Sequence, residues 1–377
     1  MIMKRALLGI AILVLPYSAH AQQKMDAATL RNYAAKALPR CPGGILTLDP
    51  IATGPRNFTA YTATLRSSDQ YCGQQKYLLF SPSTQQIIIG SVIELPADGR
   101  PAAARVTQKG SELLGKQVTA TVAPFPLPDG LKAVTISRET PNGSFGYHGF
   151  IDASEQYLIV GMRGNLNTDP AKTLRDTLGT GTAVRRGNAK SPLEIIELSD
   201  FECPTCGRAH GLVEPIIRKS LDKINYARLD LPLFEMHEWA LSAAMGARAI
   251  QRVAPAKYWD YVDYVFKNQE TIGKQQIDKF VQNYCEDHDI DWNAAQKIYT
   301  SKTERQALLD QVSRAFAIGV ASTPTYIVNG QILGFGPEGA FTIEQIKNAI
   351  AATPDTPAKA STKPAAKPPV KSTKKPK

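Results

Sequence analysis

Two cysteines set two residues apart, Cys203-Pro204-Thr205-Cys206, carry the clearest chemistry in this sequence. The spacing lets both sulfurs close a small disulfide ring. Before the pair, Leu193, Ile195, Ile196 and Leu198 form the apolar run of a buried strand. After it, Ala209, Leu212, Val213, Ile216 and Ile217 recur at helical spacing. Cys203 therefore falls at a helix N-terminus, where unpaired N–H groups and the helix dipole favour thiolate over thiol. A free thiol titrates near ~8.5, and such a setting lowers that by one to several units. Pro204 suits the first helical turn, since its missing N–H has no partner to lose there. Strand, dithiol, helix is a redox arrangement.

Two other uses of the pair compete with exchange. One is metal binding, with His210 one turn beyond Cys206 as a third ligand. A four-ligand structural zinc site needs a second C-x-x-C or a His pair at set spacing, and the sequence has neither. No metal is expected, and His210 is assigned to the helix surface or its packing. The other is a static disulfide in an adhesion or scaffolding module. Of the remaining cysteines, Cys41 and Cys72 both fall in the N-terminal part and are available for a structural disulfide. Cys285, in an aromatic and acidic helical stretch, is read as a buried inert thiol.

The block Ser199-Asp-Phe-Glu-Cys-Pro-Thr-Cys206 resembles the DsbA-like thiol–disulfide oxidoreductases of the bacterial cell envelope, which have a thioredoxin fold. A second match lies at Gly319-Val-Ala-Ser-Thr-Pro-Thr-Tyr-Ile-Val-Asn-Gly330. It is similar to the family's cis-proline loop, and the resemblance implies that Thr323 and Pro324 sit beside the dithiol and hold the client strand. Glu197, six residues before Cys203, matches the buried acid beneath the family's active site. Its implied role is proton acceptor for Cys206, or simply structural acid. The resemblance covers residues 192–352, including a strongly helical stretch between Trp239 and Ile318. There, apolar spacings repeat in Ala240–Ile250, Tyr258–Phe266, Ile277–Tyr284 and Leu308–Ile318. A final helix, Thr342–Ile350, is expected with Thr342 as its cap.

The segments outside that region set the context. Lys4 and Arg5, the apolar run Ala6 to Leu15, and Ala19-His20-Ala21 make the three parts of a signal peptide, residues 1–21, cleaved near Ala21. The run is too short to span a bilayer, and no later stretch reaches the required ~20 residues. The mature chain is thus expected in the periplasm or another extracytoplasmic envelope compartment, without a stable membrane span. The formal net charge is +10, but six of those charges belong to the tail after Ala352 and two to Lys4 and Arg5. The remaining two make no basic face with interleaved aromatics, so nucleic acid is not an expected partner. The tail, residues 353–377, is almost only Ala, Pro, Thr, Ser and Lys and should be disordered.

Between signal and redox region the sequence repeats itself. Tyr77 and Tyr147, Phe80 and Phe150, Gln86 and Gln156, and Ile89 and Ile159 share one spacing; after a one-residue insertion Gly90 and Gly161, Leu95 and Leu166, and Asp98 and Asp169 match. This reads as a tandem duplication of a small α+β unit, residues 22–115 and 116–185. A Gly-rich, polar stretch, residues 179–190, suits a linker. The second copy resembles the N-terminal domain of the DsbC and DsbG disulfide isomerases, which dimerises and holds the catalytic domains around a cleft. A tandem pair could stand in for the two halves of such a dimer and permit a monomer. Neither copy has a paired-carboxylate, Ser-His-Asp or phosphate-loop pattern.

The expectation is an α/β protein: a C-terminal thioredoxin-like fold with a helical insert, preceded by duplicated small α+β units. Its activity is thiol–disulfide exchange with cysteine-containing exported clients, recycled by a redox partner the sequence does not name, and without a cofactor. Pro-Thr departs from the Pro-His that DsbA carries, and Thr323 with the N-terminal units leans towards isomerase or reductase action of the DsbC/DsbG type. The helical insert and Glu197 lean towards oxidase.

Overall fold

The computed structural model describes residues 26–69, 72–273, 276–336 and 339–354. The expected signal peptide and all but the first two residues of the tail lie outside the described residues. Among the described residues no helix is long and apolar enough to cross a membrane.

The N-terminal half is built twice from one helix and four strands. Helix α1 (Ala27–Ala37) leads into β1 (Ile45–Ile51), β2 (Thr59–Arg66), β3 (Gln74–Phe80) and β4 (Gln86–Glu94). Helix α2 (Ala102–Leu114) leads into β5 (Thr119–Val122), β6 (Lys132–Thr140), β7 (Gly143–Ile151) and β8 (Tyr157–Asn165), and α3 (Pro170–Leu178) follows. The strands form one antiparallel sheet in the order β1-β2-β3-β4-β8-β7-β6-β5. Each helix covers the strands after it: Leu30, Tyr33 and Leu38 of α1 and its end meet Leu78, Phe80 and Ile87, while Val106 of α2 meets Val118, Val134 and Ile136. Burying each large aliphatic side chain contributes roughly 1.5–3 kcal/mol.

The two halves meet through β4 and β8. Gly90 lies opposite Gly161, Ile89 opposite Met162 and Ser91 opposite Val160. The two glycines that the repeat equates thus face each other, so the pairing has a local two-fold character. A Cβ on Gly90 would lie 2.1 Å from the Val160 carbonyl oxygen, and one on Gly161 2.3 Å from that of Ile89. Only glycine permits so close a backbone approach. Asn57 and Asp129, in corresponding turns, both have positive φ, and Asn57 Nδ2 donates to the Asp129 carbonyl at 2.9 Å. The Asp129 carboxylate accepts from Ser81 at 2.7 Å and from Thr84 and Gln86 at 2.6 Å, tying the β3–β4 turn to the second half.

The C-terminal half contains β9 (Val184–Gly187), β10 (Glu194–Ser199), α4 (Pro204–Lys219) and β11 (Asn225–Asp230), then α5 (Ala240–Val253), α6 (Tyr258–Lys267), α7 (Ile277–Asp287), α8 (Trp292–Tyr299) and α9 (Lys302–Ala317). It closes with β12 (Thr325–Val328), β13 (Gln331–Ile332) and α10 (Ala340–Ala352). The sheet order is β13-β12-β10-β11-β9, with β10 and β11 parallel and the other pairs antiparallel. Side chains alternate across it as a strand requires. Ile195, Tyr226 and Tyr326 face α4 and α10, whereas Ile196, Ala227 and Ile327 join the core under α5–α9. This is the thioredoxin-like arrangement expected, with the helices inserted between β11 and β12.

Three details differ from expectation. The Gly-rich stretch read as a linker supplies β9, which pairs with β11 through Val184–Gly187. The eight-residue α8 is a fifth helix of the insert. Helix α10 starts at Ala340 after Gly339, so Thr342 is not its cap; the Thr342 hydroxyl donates instead to the Gly334 carbonyl at 2.9 Å.

The halves pack closely. Phe145 of β7 lies 5.4 Å from Phe234 and 5.7 Å from Phe316 between ring centroids, and Ser144 and Gln306 exchange two hydrogen bonds. On the opposite edge Arg40 accepts from Gly334 N and donates to the Ile332 carbonyl, both at 2.8 Å.

Candidate active site

Cys203 caps α4: its backbone is extended (φ −67°, ψ 117°), and Pro204 occupies the first helical position. The β10 strand delivers the chain to this point through Asp200-Phe201-Glu202. Cys203 and Cys206 are both free thiols. Cys203 keeps 8% exposure and Cys206 none. The Thr323–Pro324 peptide bond is cis, and Cys203 Sγ lies 3.5 Å from the Thr323 carbonyl oxygen. Residues 120 positions apart in sequence are thereby brought into contact.

The electrostatics separate the two sulfurs. Cys203 is pulled down to about 5, first by the hydrogen bond from Cys206. Burial opposes this, while Thr323 and the N–H groups of Cys206 and Thr205 add to it. Cys206 is pushed well above the ordinary thiol range, first by burial and then by Cys203. One sulfur is thus held as a nucleophilic anion and its neighbour as a proton-bearing donor. The buried Thr323 hydroxyl has no hydrogen-bond partner of ordinary geometry, leaving it free for the sulfurs it faces.

Glu197 sits under this site on β10, but its oxygens are taken by others. Tyr226 donates its hydroxyl to one, and Arg228 Nη1 lies 3.3 Å from the other. Arg228 in turn lies 3.2 Å from Asp230 and stacks 4.4 Å from the Phe201 ring centroid. The polar group at Cys206 is the backbone N–H of Asp200, 3.5 Å from Sγ. Thr205 accepts from Arg208 at 3.0 Å on the helix surface. His210 turns away to Asp263 at 2.9 Å and stacks on Phe266. Cys41 and Cys72 are bonded to each other, with Cα atoms 5.8 Å apart, and stand on the first repeat. Cys285 is buried in α7 and pushed up to about 11 by burial and Glu286.

Four residues around the dithiol escaped the sequence reading. Gln269, after α6, donates Nε2 to the carbonyls of Phe201 at 2.8 Å and Cys203 at 2.9 Å, clamping the loop. Glu202 accepts from the N–H groups of Trp239 at 2.5 Å and Ala240 at 2.8 Å, capping α5. Asp200 accepts from Leu233 N and from His237 Nδ1, each at 2.7 Å. Asp200 and Glu202 could have been flagged by adjacency to the motif. Gln269 and His237 have no spacing that links them to it.

Residues 179–352 match the family model described as Thioredoxin. Among curated proteins, the Na(+)/H(+) antiporter NhaA 3 of Salinispora tropica is 27% identical over 168 residues, 44% of this chain and 24% of that protein. The chain spans about a quarter of the length of the curated relatives it matches. Among solved structures, alpha-DsbA1 of Wolbachia pipientis is 19% identical, with a TM-score of 0.40 over 45% of this chain and 92% of that one. Alpha-DsbA2 of the same organism is 17% identical, with a TM-score of 0.40 over 49% and 98%. Residues 179–352 are thus similar to the thioredoxin family, and helices α5–α9 stand between β11 and β12 of that region.

Proposed function

We propose that this chain is an exported thiol–disulfide oxidoreductase that acts on cysteine-containing proteins of the cell envelope. The observation that carries the reading is the facing of Cys203, at the start of α4, by the cis Thr323–Pro324 peptide, with Cys206 buried behind it. In the oxidising direction a client thiolate attacks Cys203 of the Cys203–Cys206 disulfide, and Cys206 leaves as a thiolate and takes up a proton. A second client thiolate then attacks the client sulfur of the mixed disulfide and expels Cys203 as a thiolate. Two electrons pass from client to dithiol, and the client gains one disulfide. The reverse sequence reduces a client. Thr323 and Pro324 present backbone groups to the client strand, Pro204 and Thr205 set the spacing of the sulfurs, and Glu197 serves as the structural acid of the Arg228 cluster. An exported redox partner returns the dithiol to its starting state, and no cofactor takes part.

Export rests on the Lys4–Ala21 segment, and mature protein beginning near Gln22 is its expected result, read by N-terminal sequencing of the envelope fraction. Activity is tested by insulin reduction and by refolding of scrambled ribonuclease, with Cys203→Ala as control. Equal behaviour of the two proteins ends the enzymatic reading. The equilibrium of the dithiol with glutathione then fixes the working direction. A strongly oxidising value selects the oxidase, and one well below it selects the isomerase or reductase, the reading that the paired N-terminal repeat favours.

A further inference from the structure

The Pro204-Thr205 dipeptide places no cation between the two sulfurs, yet the loop before Cys203 carries two acids, Asp200 and Glu202. Uncompensated, they would oppose a thiolate. The compensating group comes from the segment between β11 and α5. His237 donates Nδ1 to Asp200 Oδ2 at 2.7 Å, and the Asp200 side chain is fully buried. The same carboxylate accepts from Leu233 N, its other oxygen accepts from Glu202 N at 2.8 Å, and the Asp200 N–H reaches Cys206. One acid therefore fixes the imidazole, the turn into Cys203 and the sulfur behind it. His237 remains partly open to solvent, so an imidazolium there is not fully desolvated.

We infer that His237, anchored by the Asp200 whose carbonyl accepts from Cys203 N at 3.3 Å, is a positioning residue that adds to the hydrogen bonds favouring the Cys203 thiolate and so to the oxidising strength of the pair. This rests on the reading of Cys203 as the exchange sulfur. The charged groups facing His237 are Asp200, Glu202 and Cys203, with Glu235 and Glu238 on its own segment. Glu235 is occupied by Arg138 of β6 and by Lys116, 2.7 Å away, and Glu238 donates its backbone N–H to Glu202. Its hydrogen bond to Asp200 raises the His237 midpoint, partial burial opposes, and Asp200, Cys203 and Glu202 add their charge. The imidazolium is present below that raised midpoint and lost above it. Its stabilisation of the thiolate follows the same course.

The test compares wild type with His237→Gln, whose amide can still donate to Asp200 without a charge. Alkylation of Cys203 followed against pH is expected to shift its midpoint up by about one unit, the size of a nearby opposite charge. The glutathione equilibrium should move about ten-fold towards the disulfide, the equivalent of that unit. An unchanged profile in the variant overturns the inference. A second measurement needs no variant: coupling is reciprocal, so the His237 imidazole, followed by NMR, should titrate higher in the reduced wild type than in the oxidised. Equal midpoints overturn the inference as well. If Cys203→Ala abolishes exchange while His237→Gln keeps the wild-type profile, the proposed function stands and His237 alone loses its role.

Discussion

Cys41 with Cys72 and Cys203 with Cys206 are two cysteine pairs of similar burial under different constraints. The first joins the chain before β1 to the chain before β3, 31 positions apart. Cys72 packs against Gly334, whose missing Cβ would lie 2.2 Å from Sγ. The second sits on a helix start, with a cis-proline loop opposite and donors aimed at one sulfur. Cys285 provides a third point: burial without donors pushes a thiol up to about 11, while Cys203, also largely buried, is pulled down to about 5. Burial alone does not decide whether a cysteine exchanges. What decides is whether the surroundings supply partners for the anion.

The largest expected effect separates the pairs by activity. Cys203→Ala should lower insulin reduction by on the order of a thousand-fold or more, as loss of a nucleophile does. The double variant Cys41→Ala, Cys72→Ala should keep most of it. That double variant should instead lose stability, about 4 kcal/mol for a loop of this length, read by urea unfolding of the oxidised proteins. Comparable loss of exchange in the two variants would break the comparison.

A pH series sharpens it. Cys203 titrates at about 5 when folded, well below an ordinary thiol. Its folded value is depressed, so the stability it lends the reduced protein is full above about 9 and is lost as pH falls through about 5. The oxidised protein lacks this contribution. The gap between the unfolding midpoints of reduced and oxidised forms should therefore change between about pH 5 and 9 and be flat below that window, while above it the raised Cys206 thiol weakens the reduced form. Smaller again is Thr323→Val, which removes a hydroxyl facing the sulfurs. It should raise the Cys203 alkylation midpoint by less than about one unit, one weak donor among several. Last, Cys285 should resist alkylation in the folded protein and react only on unfolding, as mass spectrometry after timed labelling would show.

Most of the C-terminal fold was readable because its signals are local. An apolar strand, C-x-x-C and a helical period lie within twenty-five residues, and Thr323–Pro324 carries its own pattern. The residues that tune the site were not readable. His237 lies in a segment with no period, and only the parallel pairing of β10 with β11 brings that segment beside Asp200. Glu197 announced a buried acid, but the sequence could not say that Tyr226 and Arg228 would occupy its oxygens. Strand β1 was hidden by Pro50, which breaks the strand pattern; it is tolerated because β1 is the edge of its sheet. The Gly-Thr-Gly-Thr run masked β9 in the same way, by composition.

The pairing of β4 with β8 has a consequence for assembly. The two repeats are joined by one short stretch of chain, so their meeting is an intramolecular event with an effective concentration set by the connection. Diluting the protein does not weaken that seam. Whatever platform the eight strands offer to the redox half is present in every single polypeptide, at any expression level.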